Sequence, residues 1–154
     1  MSETRKHATG PRARSRARRL AMQALYQWQF NDDSPAELEK QYTAEASNKV
    51  DLEYFAELVR ECHQQAGALT GAIEKHLDRP LDQLDPVERA ILLIGLYELR
   101  FRLDVPYRVV INEGVELAKS FGGSEGHKYV NAMLDKAAAQ LRSAEYQARS
   151  AGRA

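Results

Sequence analysis

The 154-residue chain lacks several features, and each lack closes off a class of function. Its single cysteine, Cys62, excludes an internal disulfide framework and a cysteine-rich zinc site. No apolar run reaches the roughly 18 residues of a membrane span, so no contact with a membrane is expected. Glycines stand singly or as Gly122-Gly123, which is neither a phosphate loop nor a dinucleotide fingerprint. His7, His63, His76 and His127 are scattered without metal-ligand spacing. Asp78, Asp82 and Asp85 match no calcium loop, and helix capping explains them. No metal and no cofactor are therefore expected. Cys62 and His63 are adjacent, and adjacent helical residues point about 100° apart, so they make a poor catalytic pair. Cys62 reads instead as a packed core thiol.

Net charge is also missing: 22 Lys and Arg balance 22 Asp and Glu. The balance hides a polarity. Residues 1–19 hold seven bases, six of them arginine, against Glu3, a net +6, while the other 135 residues hold 15 bases and 21 acids, a net −6. Arginine's planar fork suits phosphate and stacks on bases, so an arginine-rich arm on an acidic body points to nucleic acid. A solvated tail and a transit peptide are the bland alternatives. Arg18-Arg19 is no twin-arginine export signal, because Gln23, Gln27 and Gln29 interrupt the apolar stretch such a signal needs.

Period-two alternation is absent and apolar residues recur at helical spacing, so the chain reads as all-α, with about six or seven helices. A basic arm is expected over residues 1–13, then a helix from Arg14 to Phe30, with Ala17, Leu20, Ala24 and Tyr26–Trp28 on its apolar stripe. Ser34 and Pro35 start a helix reaching Ala46. One helix is expected from Asp51 to His76, broken by Arg79-Pro80. Asp85, Pro86 and Glu88 form a capping-box start. The helix after it, to Arg102, is apolar nearly all round, which predicts a buried central helix with Gly95 at a close crossing. Val105-Pro106 opens another, ending at Gly122 or Gly123 in a left-handed conformation. Ser124 caps a last helix over 125–147, and residues 148–154 form a frayed tail.

Two surfaces suit binding rather than catalysis: the arginine arm with its helix, and the segment Lys119 to Tyr129. The second combines Lys119, Lys128, Phe121 and Tyr129 with glycine backbone and a fresh helix N-terminus. A plain interhelical turn with Phe121 in the core is the alternative.

The residues also carry a resemblance. Arg14-x-Arg16-Ala17-Arg18, then Gln23-Ala24-Leu25-Tyr26-x-Trp28-Gln29, is similar to the opening of the NusB family of bacterial transcription antitermination factors. So are Asp104-Val105-Pro106-Tyr107, Ile111-Asn112-Glu113, Glu116-Leu117-Ala118-Lys119-Ser120-Phe121-Gly122 and His127-Lys128-Tyr129-Val130-Asn131. The resemblance covers about residues 12–140. It implies two small helical bundles packed together, with subdomains over about 14–78 and 79–147. It implies a cytoplasmic, non-enzymatic protein that binds boxA-type single-stranded RNA of nascent ribosomal transcripts. The implied protein partner is NusE, ribosomal small-subunit protein ten, within an RNA polymerase complex containing other Nus factors. Carried over, Arg14, Arg16, Arg18, Lys128 and Tyr129 are implied RNA contacts, joined by Lys119 from the segment above. Tyr26 and Glu88 are implied to face NusE. Gly126 replaces a small polar residue common in the family. The fold also heads some ribosomal RNA cytosine methyltransferases, but no nucleotide-cofactor domain or catalytic cysteine motif occurs in these residues. A pure protein–protein adaptor is the remaining alternative, and the arginines count against it.

Overall fold

The structure is a computed structural model and describes residues 8–77, 83–123 and 125–151. The described residues form eight α-helices and one short 3-10 turn, without strands. The chain divides into two compact units, with the boundary between Gln64 and Gln65.

The first unit holds α1 (Pro11–Trp28), α2 (Pro35–Glu45) and α3 (Leu52–Gln64). Helix α1 starts three residues before the expected Arg14. Gly10 takes a left-handed φ of 98° and Pro11 fills the first turn, so Arg12 and Ala13 belong to the helix rather than to an arm. Its buried stripe is Ala13, Ala17, Ala21, Ala24 and Leu25; Tyr26 is turned outward instead. Small residues at that spacing let α1 lie close to α3, whose Phe55, Leu58, Val59 and Cys62 are fully buried. Cys62 is thus the core thiol expected. Helix α2 starts with a complete capping box, Ser34 Oγ accepting from the Glu37 amide and Glu37 Oε1 accepting from the Ser34 amide.

The second unit holds α4 (Ala66–Gly71), a 3-10 turn over Glu74–His76, α5 (Pro86–Phe101), α6 (Tyr107–Phe121), α7 (Gly126–Leu141) and α8 (Ser143–Ala151). The single helix expected over 51–76 is therefore three pieces. Gln65, at φ −106° and ψ 13°, interrupts it, and Gly67 and Gly71 weaken the helix beyond the break. The expected break at Arg79-Pro80, and the roles of Asp78, Asp82 and Ser124, lie outside the described residues.

Helix α5 is buried on all sides, every residue from Ala90 to Leu99 being covered. Asp85 Oδ1 caps it, accepting from the amides of Val87 (2.8 Å) and Glu88 (3.3 Å). Helices α5, α6 and α7 meet at Leu134. A Cβ on Gly95 would lie 2.6 Å from Leu134 Cδ2, and one on Gly114 would lie 2.8 Å from Leu134 Cδ1. The close crossing expected at Gly95 is therefore present, and Gly114 shares it. Helix α6 ends at Gly122 without a left-handed residue: its φ is −90°. Glycine is needed there because a Cβ would meet the Ala118 carbonyl oxygen at 2.8 Å. The last helix is two, split at Arg142, at φ −125° and ψ 42°.

Candidate nucleic-acid interface

Helix geometry sorts the arginines of α1 into two rows. Arg12, Arg16 and Arg19 follow i, i+4, i+7 spacing, share one face and are exposed. Arg14 and Arg18 stand four residues apart on the far side. The Arg14 guanidinium carbon lies 4.5 Å from the centre of the Tyr54 ring, and that of Arg18 lies 5.6 Å away. Arg18 is only 3 % exposed. This corrects the expectation that Arg14, Arg16 and Arg18 act as one set. Arg16 is on the surface, Arg14 is half-buried, and Arg18 is a buried strut. Arg12 is expected in the arm, and Arg19, though part of the basic stretch, is not among the expected RNA contacts. The i, i+4, i+7 spacing is the signal that finds them.

Helix α1 has no acid in its first turn and no side-chain cap. Arginines there oppose the helix dipole, at about 0.3–1 kcal/mol each. The buried ring of Tyr54 on α3 offsets part of that cost through cation–π attraction.

In the second unit, Lys119 ends α6 and Lys128 and Tyr129 open α7. Both lysines are well exposed. Lys119 pairs with Glu116 of its own helix at 3.8 Å, and Lys128 with Glu125, the residue before α7, at 2.9 Å. Exposed pairs of this kind contribute about 0–1 kcal/mol, so a phosphate can displace the acid at little cost. Tyr129 is half-buried with its hydroxyl inside, so only part of its ring faces solvent. The amides of Gly126 and Lys128 already bond to the carbonyls of Gly123 and Glu125. The helix start is thus a less open anion site than its sequence suggests.

The two residues expected to face a protein partner are placed differently. Tyr26 is 40 % exposed and its ring lies 5.0 Å from that of Phe30, itself 62 % exposed. Together they form an apolar corner at the end of α1. Glu88 is only 8 % exposed, and its carboxylate lies beside Gly126, with Oε2 3.7 Å from where a Cβ would stand. Its negative charge at the α7 N-terminus complements the helix dipole. Glu88 therefore reads as an internal joint between α5 and α7 rather than an exposed contact.

A cleft of about 190 Å³ in the second unit is lined by Arg108, Asn112, Asn131, Asp135 and Tyr146. Asp135 accepts from the Tyr146 hydroxyl at 3.0 Å, a bond that pushes the Tyr146 phenol above its ordinary range. Arg108 and Asp135 cancel in charge, which disfavours phosphate. Among the described residues no group of histidine, cysteine or carboxylate side chains has the arrangement of a metal site. No described helix is long and apolar enough to cross a membrane.

Known proteins agree with this architecture. The NusB family model matches residues 15–139. The chain belongs to the NusB family. It is 51 % identical to the transcription antitermination protein NusB of Marinobacter nauticus, over 86 % of this chain and 84 % of that protein. It is 49 % identical to the NusB of an Azoarcus species, over 88 % of this chain and 89 % of that one. Among solved structures, T. maritima NusB aligns with a TM-score of 0.74 at 30 % identity, covering 85 % of this chain and 92 % of that one. A NusB solved with NusE and double-stranded RNA aligns with a TM-score of 0.73 at 34 % identity, covering 90 % and 99 %. The exposed arginines and the paired lysines thus stand on the fold of this family.

Proposed function

We propose that the chain is a non-enzymatic transcription antitermination factor of the cytoplasm. It binds boxA-type single-stranded RNA of nascent ribosomal transcripts together with NusE, ribosomal small-subunit protein ten. The pair promotes read-through by RNA polymerase in a complex with other Nus factors. The observation that carries this reading is the exposed row Arg12, Arg16 and Arg19 on a chain of the NusB family. Relatives bearing the antitermination name at about half identity support it, and the likeness to a NusB held with NusE and double-stranded RNA supports a role with NusE and RNA. Lys119, Lys128 and the open part of the Tyr129 ring supply further RNA contacts. Tyr26 with Phe30 supplies the contact to NusE, and the acidic body favours such a basic partner.

The test is a salt titration of boxA RNA binding, with and without NusE. The pair is expected to retain RNA better than the chain alone. Replacing Arg12, Arg16 and Arg19 by glutamine is expected to weaken binding and flatten the salt dependence by roughly 0.7 log units per lost contact. Unchanged affinity and slope in that triple variant overturn the reading.

A further inference from the structure

We propose that Tyr54, which itself has no access to RNA, is a positioning residue for RNA binding. The inference rests on the RNA reading above and adds the device that holds the exposed arginines in place.

Tyr54 is 2 % exposed, in the first turn of α3. Its amide donates to Asp51 Oδ1 at 3.0 Å, which fixes the start of α3. The Asp51 amide in turn donates to the carbonyl of Ala13, in the first turn of α1, at 3.2 Å. Main chain and ring therefore grip the same stretch of α1. The guanidinium groups of Arg14 and Arg18 lie over the Tyr54 ring at 4.5 and 5.6 Å. At about 100° per residue, Arg14 and Arg18 point roughly opposite to Arg12, Arg16 and Arg19. One side of α1 is clamped to the ring while the other presents its arginines to solvent.

The clamp matters because this end of α1 is poorly supported locally. It starts at a glycine in a left-handed conformation, lacks a side-chain cap, and carries arginines where the dipole disfavours them. Such a turn frays unless tertiary contacts hold it. Once the first turn frays, Arg12 leaves the face it shares with Arg16 and Arg19, and ordering it again must come out of the RNA-binding energy. A phenyl ring supplies the same stacking face as the phenol, whereas leucine supplies bulk without a π-face.

The test uses the full chain and a boxA-type single-stranded RNA oligonucleotide. Tyr54→Leu is expected to weaken RNA binding about three- to tenfold in protein shown to be folded, and Tyr54→Phe to restore it within about twofold. In a background where Arg12, Arg16 and Arg19 are glutamine, Tyr54→Leu is expected to add nothing further. The same loss in that background, or failure of Tyr54→Phe to restore binding, overturns the proposal. Arg14→Met covers the case in which Tyr54→Leu does not fold, since Arg14 is half-buried rather than core. Amide exchange over the first two turns of α1 is expected to quicken about tenfold in Arg14→Met; unchanged exchange overturns the proposal. If the triple glutamine variant itself binds RNA like the parent, the RNA reading fails, and it does so independently of Tyr54.

Discussion

Arg142 and Glu145, three residues apart, together close both sides of the connection between α5 and α6. The Arg142 guanidinium donates to the carbonyl oxygens of Leu99 (2.6 Å), Glu98 (3.0 Å) and Arg102 (2.9 Å), at the end of α5. Its Nη1 also donates to Glu145 Oε1 at 2.7 Å. The other Glu145 oxygen accepts from the amide of Tyr107, the first residue of α6, at 3.0 Å. A helix end leaves carbonyls unsatisfied, and a helix start leaves amides unsatisfied. One ion pair serves both.

Arg142→Met is expected to lower unfolding stability by about 3 kcal/mol, because three carbonyls at a buried helix end lose a charged donor together. Urea denaturation measures it. A loss below about 1 kcal/mol would mean that water replaces the guanidinium without cost.

The same pair makes stability depend on acid. Burial by itself raises the Glu145 carboxyl, but the Tyr107 amide, the bond and charge of Arg142, and the charge of Arg149 outweigh it and hold the carboxyl below its ordinary range. A lowered value in the folded state contributes stability above the unfolded value, and that contribution is lost as pH falls through the folded one. The stability gap between the parent and Glu145→Gln is therefore expected to be full at neutral pH and to close progressively as pH falls below the ordinary carboxylate range. A gap that stays constant with pH would show that the carboxylate charge contributes nothing.

Glycine substitutions should separate by position. Leu134 is fully buried and sits against both Gly95 and Gly114, so it cannot retreat from one without meeting the other. Gly95→Ala and Gly114→Ala are each expected to cost about 1–3 kcal/mol through overpacking. At Gly126 the nearest atoms stand 3.7 Å from an added Cβ, so Gly126→Ala is expected to preserve stability or raise it by about 0.5 kcal/mol. Thermal unfolding of the three variants orders them; equal losses would refute the packing account.

Tyr26 and Phe30 give the partner surface its own test. Replacing both by alanine removes exposed rings and should leave stability within about 0.5 kcal/mol. Binding to NusE is expected to fall at least about tenfold, as loss of an aromatic anchor does. Glu88→Gln, at a buried joint, is expected to act the other way, lowering stability more than partner affinity. Calorimetry of both variants against NusE checks the pair, and normal NusE binding by the double alanine variant would remove the corner from the interface.

Much of this molecule is legible along the chain. Capping residues act on their own next few amides, so Ser34 and Asp85 announce their helices through local chemistry. An all-round apolar run can be stable only when covered, so the burial of α5 follows from composition. The arginine surplus at the start and the family resemblance need only the order of residues. The breaks at Gln65 and Arg142 are not legible, because neither carries a proline or a glycine stop. Arg142 leaves helical geometry at a position whose side chain serves the end of another helix, more than 40 residues away in sequence.

The opening arginines draw the line most clearly. Sequence alone determined that positive charge gathers at one end of a helical protein and that this charge suits RNA. The family resemblance then implied Arg14, Arg16 and Arg18 as RNA contacts, with nothing to rank them against one another. Packing against α3 buries Arg18 and stacks Arg14, while Arg12, Arg16 and Arg19 face solvent. The reason is physical: a helix's own periodicity says which residues share a face, but the neighbouring helix decides which face is covered. Here that neighbour brings a tyrosine ring, against which a guanidinium packs as readily as an apolar side chain.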